Sequence, residues 1–450
     1  MQYKVCKFGG SSVANAEQIA RVATIVGSDP SRKYVVVSAP GRDGDEPKVT
    51  DMLIDIAKGN LLTLRNVRDR YVHTADQLGL EKGVAIALMD DLKERMSHEG
   101  EDKLRFEDRV KAFGEEANAR LIAAYLNHKG VSAEYVDPKD GGFLVTEDFG
   151  NAKLLDGSCD NIRKGLRGRS SVTIFPGFFG YTKKGDIATF SRGGSDLTGA
   201  ILASALDAEV YENWTDVDGI FRADPKIIKD PELIKSITYD ELRELSYMGF
   251  NVFHSVAMFP LKKAHVPTHL RNANNPTQEG TRIVGYRIPK DGEVIAGVAR
   301  KKGFCTLDIR KHMMNEEVGF MMKALELFAE ENIPIEHTPT GIDSISFIFE
   351  QSKLTDGALD RLTRGMYNRL GLESDTIRIK RDQAMVITVG QGMIDKPGVA
   401  ERITGSCARK GINIEMINQG SSELNVTIGV RDQEADPAVN AIYNEFVGKN

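Results

Sequence analysis

Short apolar runs alternate with stretches of helical periodicity over the first two-thirds of the chain. Runs of β-branched and other apolar residues predict buried strands at 3–8, 33–38, 133–136, 172–175 and 208–214. Apolar residues at helical spacing predict helices near 13–26, 51–58, 61–78, 84–97, 104–128 and 196–206. This alternation indicates an α/β fold with a parallel sheet that helices cover on both faces. Ligands of such sheets bind at the carboxyl ends of the strands.

After residue 300 an internal repeat replaces this alternation. Each copy predicts a strand, a tight glycine turn, one helix and two further strands. Units of this size bury their apolar faces best by pairing side by side, within or between chains. The Lys301–Gly303 stretch predicts the boundary between the two regions. The repeat matches Gly319 with Gly398, Ile333, Ile335 and Glu336 with Ile412, Ile414 and Glu415, and Ile345, Phe347 and Phe349 with Leu424, Val426 and Ile428.

The composition narrows the class of protein. The 450 residues, 41% of them hydrophobic, suffice for about two or three domains. A net charge of −6 and the lack of a basic run argue against a nucleic-acid partner. No secretory signal is visible and no apolar run approaches the roughly 18 residues that cross a bilayer, so we expect no membrane partner. The four scattered cysteines predict a reduced, cytoplasmic chain, and the eight histidines show no metal-ligand spacing.

A glycine-rich turn follows the first strand. Gly9, Gly10, Ser11 and Ser12 come directly after that strand and before the first predicted helix. Glycines let the backbone approach an anion closely, and the free N–H groups of a helix start point at it. Lys7 adds a mobile full charge just before the turn. The sequence therefore predicts a phosphate cradle here.

A second glycine turn, Arg192–Asp196, opens the helix at 196–206. Arg192 offers a planar fork for a carboxylate or phosphate. Asp196 suits the N-cap or first turn of the helix, and the alternative is that it only caps that helix. The stretch from Trp214 to Lys226 holds two turn-forming clusters that could contact a nucleotide, or could simply be turns.

Glu115 lies in a helix that otherwise carries an apolar stripe. On local grounds the solvated flank of that helix is the favoured position, and a pocket is the alternative. The sequence contains no GxxxxGK[ST], GxGxxG or GxSxG pattern. These absences argue against a P-loop enzyme, a Rossmann dehydrogenase and a serine hydrolase of that type.

Taken together, the segments KFGGSS, FGE, RGGSD, WTDV, GIF, ADP and QGSSELN resemble the aspartate kinases of the amino acid kinase superfamily, in order and spacing, over the whole chain. The resemblance implies a three-layer α/β sandwich with a mainly parallel central sheet over residues 1–298. It also implies two ferredoxin-like (βαββαβ) ACT modules, at 299–380 and 381–450, the last segment returning to complete the first module.

The resemblance further implies that MgATP and L-aspartate give 4-phospho-L-aspartate and ADP, on the route to lysine, threonine and methionine. The acceptor carboxylate is already ionised at pH 7, so no general base is needed. The catalytic pair would be Lys7 and Asp196, and magnesium would be held mainly through ATP oxygens and water. The implied substrate contacts are Thr50, Glu115, Arg192 and Ser195. The implied nucleotide contacts are Lys7, Gly9, Gly10, Ser11, Ser38, Thr215, Asp216, Phe221, Arg222 and Lys226.

Two positions depart from the family pattern. Phe221 stands where the family often has Tyr, and Asn251 where many members have Lys. Neither belongs to the implied chemical core, so we expect altered ATP affinity and retained activity.

The ACT region implies feedback inhibition by an amino acid, with lysine expected before threonine, in a homodimer or tetramer formed through these modules. The implied effector contacts are Gly319, Phe320, Met321, Ile335 and Glu336; alternatively, Glu336 is only a surface charge. Another amino acid kinase, acting on glutamate, is a rival interpretation, but such relatives generally lack the tandem repeat. A non-catalytic amino-acid sensor is the rival from another class.

Overall fold

The structure is a computed structural model that describes residues 3–97, 102–250, 253, 255–373 and 375–448. Its contacts divide the chain into two compact units. Unit 1 comprises Met1–Ile220, Leu233–Tyr239 and Asn251–Arg287, and unit 2 comprises Phe221–Glu232, Asp240–Phe250 and Ile288–Asn450.

The strands are β1 Lys4–Phe8, β2 Arg32–Val37, β3 Ala133–Tyr135, β4 Val172–Pro176, β5 Phe179–Tyr181, β6 Ile187–Thr189, β7 Val210–Thr215, β8 Ser236–Thr238, β9 Thr268–Asn272, β10 Thr281–Val284, β11 Gly297–Arg310, β12 Ser344–Glu350, β13 Ile377–Val389, β14 Met416–Gln419 and β15 Asn425–Arg431. The α-helices are α1 Ala16–Gly27, α2 Val49–Ala57, α3 Thr63–Gln77, α4 Lys82–Met96, α5 Lys103–His128, α6 Ser158–Leu166, α7 Gly194–Ala205, α8 Tyr239–Tyr247, α9 Ser255–Lys263, α10 Phe320–Glu330, α11 Asp356–Leu370, α12 Val399–Ala408 and α13 Ala435–Phe446.

A mainly parallel sheet forms the centre of unit 1, as predicted. Its strand order is β3-β4-β2-β1-β7-β9-β10-β8, and only the β9–β10 pair is antiparallel among the described strands. The five strands expected from short apolar runs are β1, β2, β3, β4 and β7. The apolar run of β2 is buried almost throughout because helices cover both faces of the sheet.

Helices cover this sheet in two outer layers, which confirms the predicted three-layer arrangement. Cys6 and Phe8 of β1, with Val35 and Val37 of β2, belong to the core shared with α1–α5. Helix α7 packs against β1, β2 and β7, with α6 and α9 beside it. Because side chains alternate along a strand, Lys7 faces away from the core of Cys6 and Phe8.

Unit 2 is built on an antiparallel sheet with the order β12-β11-β13-β15-β14. One core lies between α10, α11 and the β12 side of this sheet, and a second lies between α12, α13 and the β15 side. The long strands β11 and β13 contribute to both cores. Gly319 and Gly398, matched by the repeat, hold equivalent positions as the N-caps of α10 and α12.

The predicted boundary at Lys301–Gly303 is wrong, because these residues lie inside β11. The pairing of β11 with β13 is irregular at Gly303, where the strand passes from one core to the other. Lys301 pairs with Glu350 at 2.5 Å, and Lys302 pairs with Asp436 at 2.9 Å. Two lysines and a glycine therefore resemble a linker in composition but form a bulged, ion-paired strand segment.

Candidate active site

The carboxyl ends of the parallel strands β1, β2, β4 and β7 meet at one edge of the unit 1 sheet. The Gly9 N–H donates to the Trp214 carbonyl at 3.2 Å, and the Ser38 N–H donates to the Phe8 carbonyl at 3.2 Å. These bonds continue the sheet pairing into the loops. The glycine turn, the loop after β2 and the end of β7 therefore lie side by side, as expected for a ligand site of a parallel sheet.

The glycine turn does not lead directly into a helix, which corrects the predicted helix at 13–26. Gly10–Val13 form a 3₁₀ turn, and α1 begins only at Ala16, where the Asn15 side chain caps it by accepting the Gln18 N–H at 3.0 Å. The N–H groups of Gly10 and Ser11 have no acceptor among the described residues. The predicted anion cradle is therefore limited to the backbone of the turn itself and does not include the first turn of α1.

The loops after β1 and β2 approach so closely that residue 41 must be glycine. The Gly41 N–H donates to the Gly10 carbonyl at 2.9 Å. A Cβ on Gly41 would lie 2.6 Å from the Gly10 carbonyl carbon. This would be a steric clash with backbone atoms, which cannot move aside easily. The close contact fixes the spacing of the two loops.

Lys7 and Asp196, the predicted catalytic pair, are in contact. Lys7 is 8% exposed, and its Nζ lies 2.7 Å from Asp196 Oδ1. Asn213 donates its Nδ2 proton to the same oxygen at 2.8 Å, and the Tyr211 hydroxyl donates to the Asp196 backbone carbonyl at 3.3 Å. Asn213 was not predicted, although its position opposite Lys7 in the β1–β7 register was a usable signal.

Asp196 lies in the first turn of α7 and does not cap it. The N-cap is Gly193, with φ of 75°, a left-handed conformation that favours glycine. Ser195 is buried in the same turn, whereas Arg192 is exposed just before it. The turn thus presents one buried hydroxyl and one exposed guanidinium next to Asp196 in the sequence.

Glu115 lies inside the protein, so its favoured placement on a solvated flank was wrong. It is 4% exposed, and its Oε2 has no hydrogen-bond partner. Burial raises the pKa of Glu115 to about 8, although a hydrogen bond from the Ala39 backbone favours the ionised form. Asn118 donates its Nδ2 proton to the Ser38 carbonyl at 2.7 Å, which ties α5 to the loop after β2. Thr50, half-buried in the first turn of α2, follows the same loop.

The end of β7 is held by cation–aromatic packing. The Trp214 ring lies 5.2 Å from the Arg32 guanidinium and 4.5 Å from that of Arg271. Thr215 follows at the strand end and donates its hydroxyl proton to the exposed Asp216 at 3.1 Å. The first two predicted nucleotide contacts of this segment are therefore at the same sheet edge as the glycine turn.

The remaining nucleotide candidates, Phe221, Arg222 and Lys226, belong to unit 2. Arg222 donates to the Ile295 carbonyl at 2.5 Å and pairs with Glu293 at 3.0 Å. Its guanidinium is thus engaged within unit 2, which does not favour the predicted nucleotide contact. Phe221 is half-buried and Lys226 is exposed.

The predicted effector residues lie in unit 2, on the half of its sheet that packs against α10. Gly319 caps α10, Phe320 is buried in the core, and Met321 is partly exposed. The Phe320 N–H donates to the Glu317 carbonyl at 3.2 Å, so this residue is held both by the core and by its own turn. Ile335 is partly buried and packs against the same core.

Glu336 is half-buried and accepts a hydrogen bond from the Tyr247 hydroxyl at the end of α8. Burial raises the pKa of Glu336, and the charge of Glu350 adds to that shift. The alternative that Glu336 is only a free surface charge is therefore wrong. Glu336 is a partly buried carboxylate with one bound donor.

Within the described part of the chain, no group of three His, Cys, Asp or Glu side chains could hold a metal ion. None of its helices is long and apolar enough to cross a membrane. Asn251, one of the two departures from the family pattern, lies outside the described residues.

The model of the amino acid kinase family matches residues 2–272, and an ACT domain model matches residues 386–446. Aspartokinase 3 of Bacillus subtilis is 43% identical over 452 residues, covering 98% of each chain. The Clostridium acetobutylicum aspartate kinase structure has a TM-score of 0.87 and 36% identity, covering 98% of this chain and 100% of that one. Aspartokinase III of E. coli, solved with lysine and aspartate, has a TM-score of 0.76 at 23% identity, covering 99% and 100%, which supports the fold alone.

Proposed function

The chain belongs to the aspartokinases of the amino acid kinase family, and from that premise we propose how its residues transfer the γ-phosphoryl group of ATP to the side-chain carboxylate of L-aspartate. The observation that carries the proposal is the Lys7–Asp196 contact at 2.7 Å, at the sheet edge that also holds the glycine turn. The acceptor carboxylate is ionised at pH 7, so the site needs orientation and positive charge and no proton acceptor.

Lys7 neutralises charge on the moving phosphoryl group. Its ammonium is nearly buried and held by Asp196, and a fixed charge in such a place stabilises a transition state without reorganisation. Asp196 positions Lys7, and Asn213 holds Asp196 by donating to the same oxygen. The N–H groups of Gly10 and Ser11 donate to phosphate oxygens.

Aspartate binds between the loop after β2 and the start of α7. Glu115 accepts the substrate ammonium on Oε2, the oxygen that has no partner in the free protein. Arg192 clamps a substrate carboxylate with its exposed guanidinium. Thr50 and Ser195 donate hydroxyl protons from the first turns of α2 and α7.

The nucleotide occupies the side of the site formed by Gly9, Ser38, Thr215 and Asp216. Magnesium bound together with ATP would neutralise charge on the phosphate oxygens of the nucleotide. The donor set fits that role, because the described residues of this edge offer hydroxyls, backbone N–H groups and scattered carboxylates and no three-ligand cluster. Mg²⁺ keeps several waters and binds largely through substrate phosphates in such sites.

Residues 304–380 form one ACT module, inserted into a second module made of residues 294–302 and 383–448, instead of the modules expected at 299–380 and 381–450. The two separate apolar cores of unit 2 support this division. A feedback amino acid binds near Gly319 and Glu336. Lysine is the first candidate for this effector and threonine is the second. The exposed Val318 and Met322, at 95% and 60%, support assembly of a homodimer or tetramer through these modules. Four free cysteines support a cytoplasmic location.

The test is ADP release from MgATP with L-aspartate, with L-glutamate or without an acceptor, each with and without lysine or threonine. We expect turnover that depends on aspartate and that one of the two amino acids suppresses. Turnover on glutamate alone would contradict the proposed acceptor. Aspartate-dependent turnover that neither amino acid affects would contradict the proposed regulation and leave the reaction in place.

A further inference from the structure

Arg70 lies on α3, outside the residues assigned to the site, and its guanidinium is buried against the site's loops. Its side chain is 4% exposed. Nη2 donates to the Ala14 carbonyl at 2.9 Å and to the Gly41 carbonyl at 2.6 Å. Nη1 donates to the Pro47 carbonyl at 3.1 Å and pairs with the exposed Glu46 at 3.1 Å. One side chain thus binds three carbonyl oxygens from two loops.

Both loops belong to the proposed site. Ala14 ends the segment that begins with the glycine turn, and residues 41–47 lead from the end of β2 to Thr50. The loops also contact each other directly, through the Gly41 N–H and the Gly10 carbonyl at 2.9 Å. The Gly10–Gly41 contact fixes their spacing on one side, and Arg70 fixes it on the other.

Arginine suits this place better than lysine. Its planar fork donates in fixed directions to several acceptors at once, whereas lysine presents a compact point charge on a flexible stem. Without the guanidinium, buried carbonyl oxygens on both loops lose their donors, and such losses are unfavourable in a protein interior. The loops would then move apart or admit water.

We propose that Arg70 is a positioning residue for phosphoryl transfer: it holds the phosphate-binding turn and the acceptor-binding loop at the separation that in-line attack requires. This inference rests on the proposed function, since the separation matters only if the nucleotide binds one loop and the acceptor binds next to the other. A misplacement of about 1 Å between reacting groups lowers the rate by about 100-fold.

Arg70→Lys and Arg70→Ala test the proposal, with Arg68→Ala on the exposed face of the same helix as the control. The readouts are kcat, KM for ATP, KM for aspartate and the thermal midpoint of unfolding. We expect Arg70→Lys to stay folded at the assay temperature and to lose at least about tenfold in kcat, because lysine cannot reproduce the fork. Arg68→Ala should keep all four values.

Chemical rescue separates positioning from a general loss of stability. A cavity of about 810 Å3 borders Arg70, lined also by Asn15, Glu46 and His73, so a small cation can reach the vacated site. Guanidinium ion at millimolar concentration should restore part of the kcat of Arg70→Ala, and ammonium ion should not. Wild-type kcat and KM in folded Arg70→Lys would overturn the proposal, even if Arg70→Ala does not fold. A loss in folded Arg70→Ala that guanidinium ion leaves unchanged would overturn it as well.

ADP affinity, measured by calorimetry without an acceptor, distinguishes failure of this inference from failure of the proposed function. If wild-type protein shows no aspartate-dependent turnover, the proposed acceptor is wrong. Weaker ADP binding in Arg70→Lys than in Arg68→Ala would then still support the positioning of the phosphate turn. If instead Arg70→Lys and Arg68→Ala bind ADP equally well, the positioning role of Arg70 is wrong.

Discussion

Binding of aspartate at pH 7 should release a proton, because Glu115 is neutral in the free protein and must ionise to accept the substrate ammonium. Burial raises the pKa of Glu115 to about 8. With that value about 0.9 of the molecules carry the proton at pH 7, and about 0.1 carry it at pH 9. Pairing with a cation favours the charged form, so binding should release about 0.9 proton per aspartate at pH 7 and about 0.1 at pH 9.

The same linkage sets the pH dependence of affinity. Below the pKa, binding must remove the proton, so the dissociation constant for aspartate should fall by about tenfold per pH unit and level off above pH 8. Folding stability has the related trend. The folded pKa lies above the unfolded value of 4.5, so the folded state holds the proton more tightly. This contribution to stability is fully present below pH 4.5 and is lost, by up to about 1.4 kcal/mol per pH unit, as the pH rises to about 8.

The assay is calorimetric titration of aspartate into protein saturated with ADP, in buffers of different ionisation enthalpy at the same pH. The slope of the heat against buffer enthalpy gives the number of protons released. Glu115→Gln keeps the shape but cannot ionise, so it should release no proton and bind aspartate with little pH dependence. Glu94→Gln, at an exposed position on α4, is the control. Proton release near zero at pH 7 in the wild type, or undiminished release in Glu115→Gln, would refute the reasoning.

Two further predictions concern the transferred group and the effector. Lys7→Ala should lower kcat in steady-state assays by at least about 100-fold, because it removes the positive charge that contacts Asp196. The control Lys33→Ala, on the neighbouring strand, should not lower kcat. An unchanged kcat in Lys7→Ala would show that Lys7 does not have the proposed role. Glu336→Ala should raise the concentration of lysine or threonine needed for half-inhibition and leave kcat near the wild-type value. Glu330→Ala is the control and should leave both values unchanged. Unaltered inhibition in Glu336→Ala would place the effector site elsewhere.

The strands and the glycine turns could be predicted because they depend on local patterns. The apolar run of β2 predicts a buried strand even when the adjacent strands are unknown. In the structure that run is buried in the sheet. The Lys7–Asp196 contact joins two segments far apart in sequence. The resemblance of the whole set of motifs to the aspartate kinases indicated this pair, which the spacing of the two residues in the sequence does not.

The burial of Glu115 could not be predicted from one helical stripe. Helix α5 packs against α2, α4 and the sheet, so it is buried on several sides and no longer has a single apolar face. The closely spaced small residues Ala112, Gly114 and Ala119 were a usable signal of that crowding. A Cβ on Gly114 would lie 2.8 Å from the Ala39 Cβ.

Arg70 was missed for a different reason. A buried guanidinium that binds carbonyl oxygens needs no particular residue type as a partner, so no motif records it. Its position nevertheless carried information, because Val67, Arg70, Tyr71 and Thr74 are buried at helical spacing on one face of α3. A charged residue at a core position of an amphipathic helix either pairs or binds backbone, and in either case it holds other segments in place.

Two carboxylates of the proposed site, Glu115 and Asp196, have different surroundings, and the difference favours different roles for them. A carboxyl group with a raised pKa in a cleft is ordinarily a candidate for acid–base catalysis. Here the acceptor is a carboxylate with no proton to lose, so Glu115, whose pKa is raised by burial and whose Oε2 has no partner, fits binding of the substrate ammonium better than acid–base catalysis. Asp196 already has its cation in Lys7 and a second donor in Asn213, both on Oδ1. This difference favours the proposed roles, in which Asp196 holds the catalytic charge and Glu115 recognises the amine of the substrate.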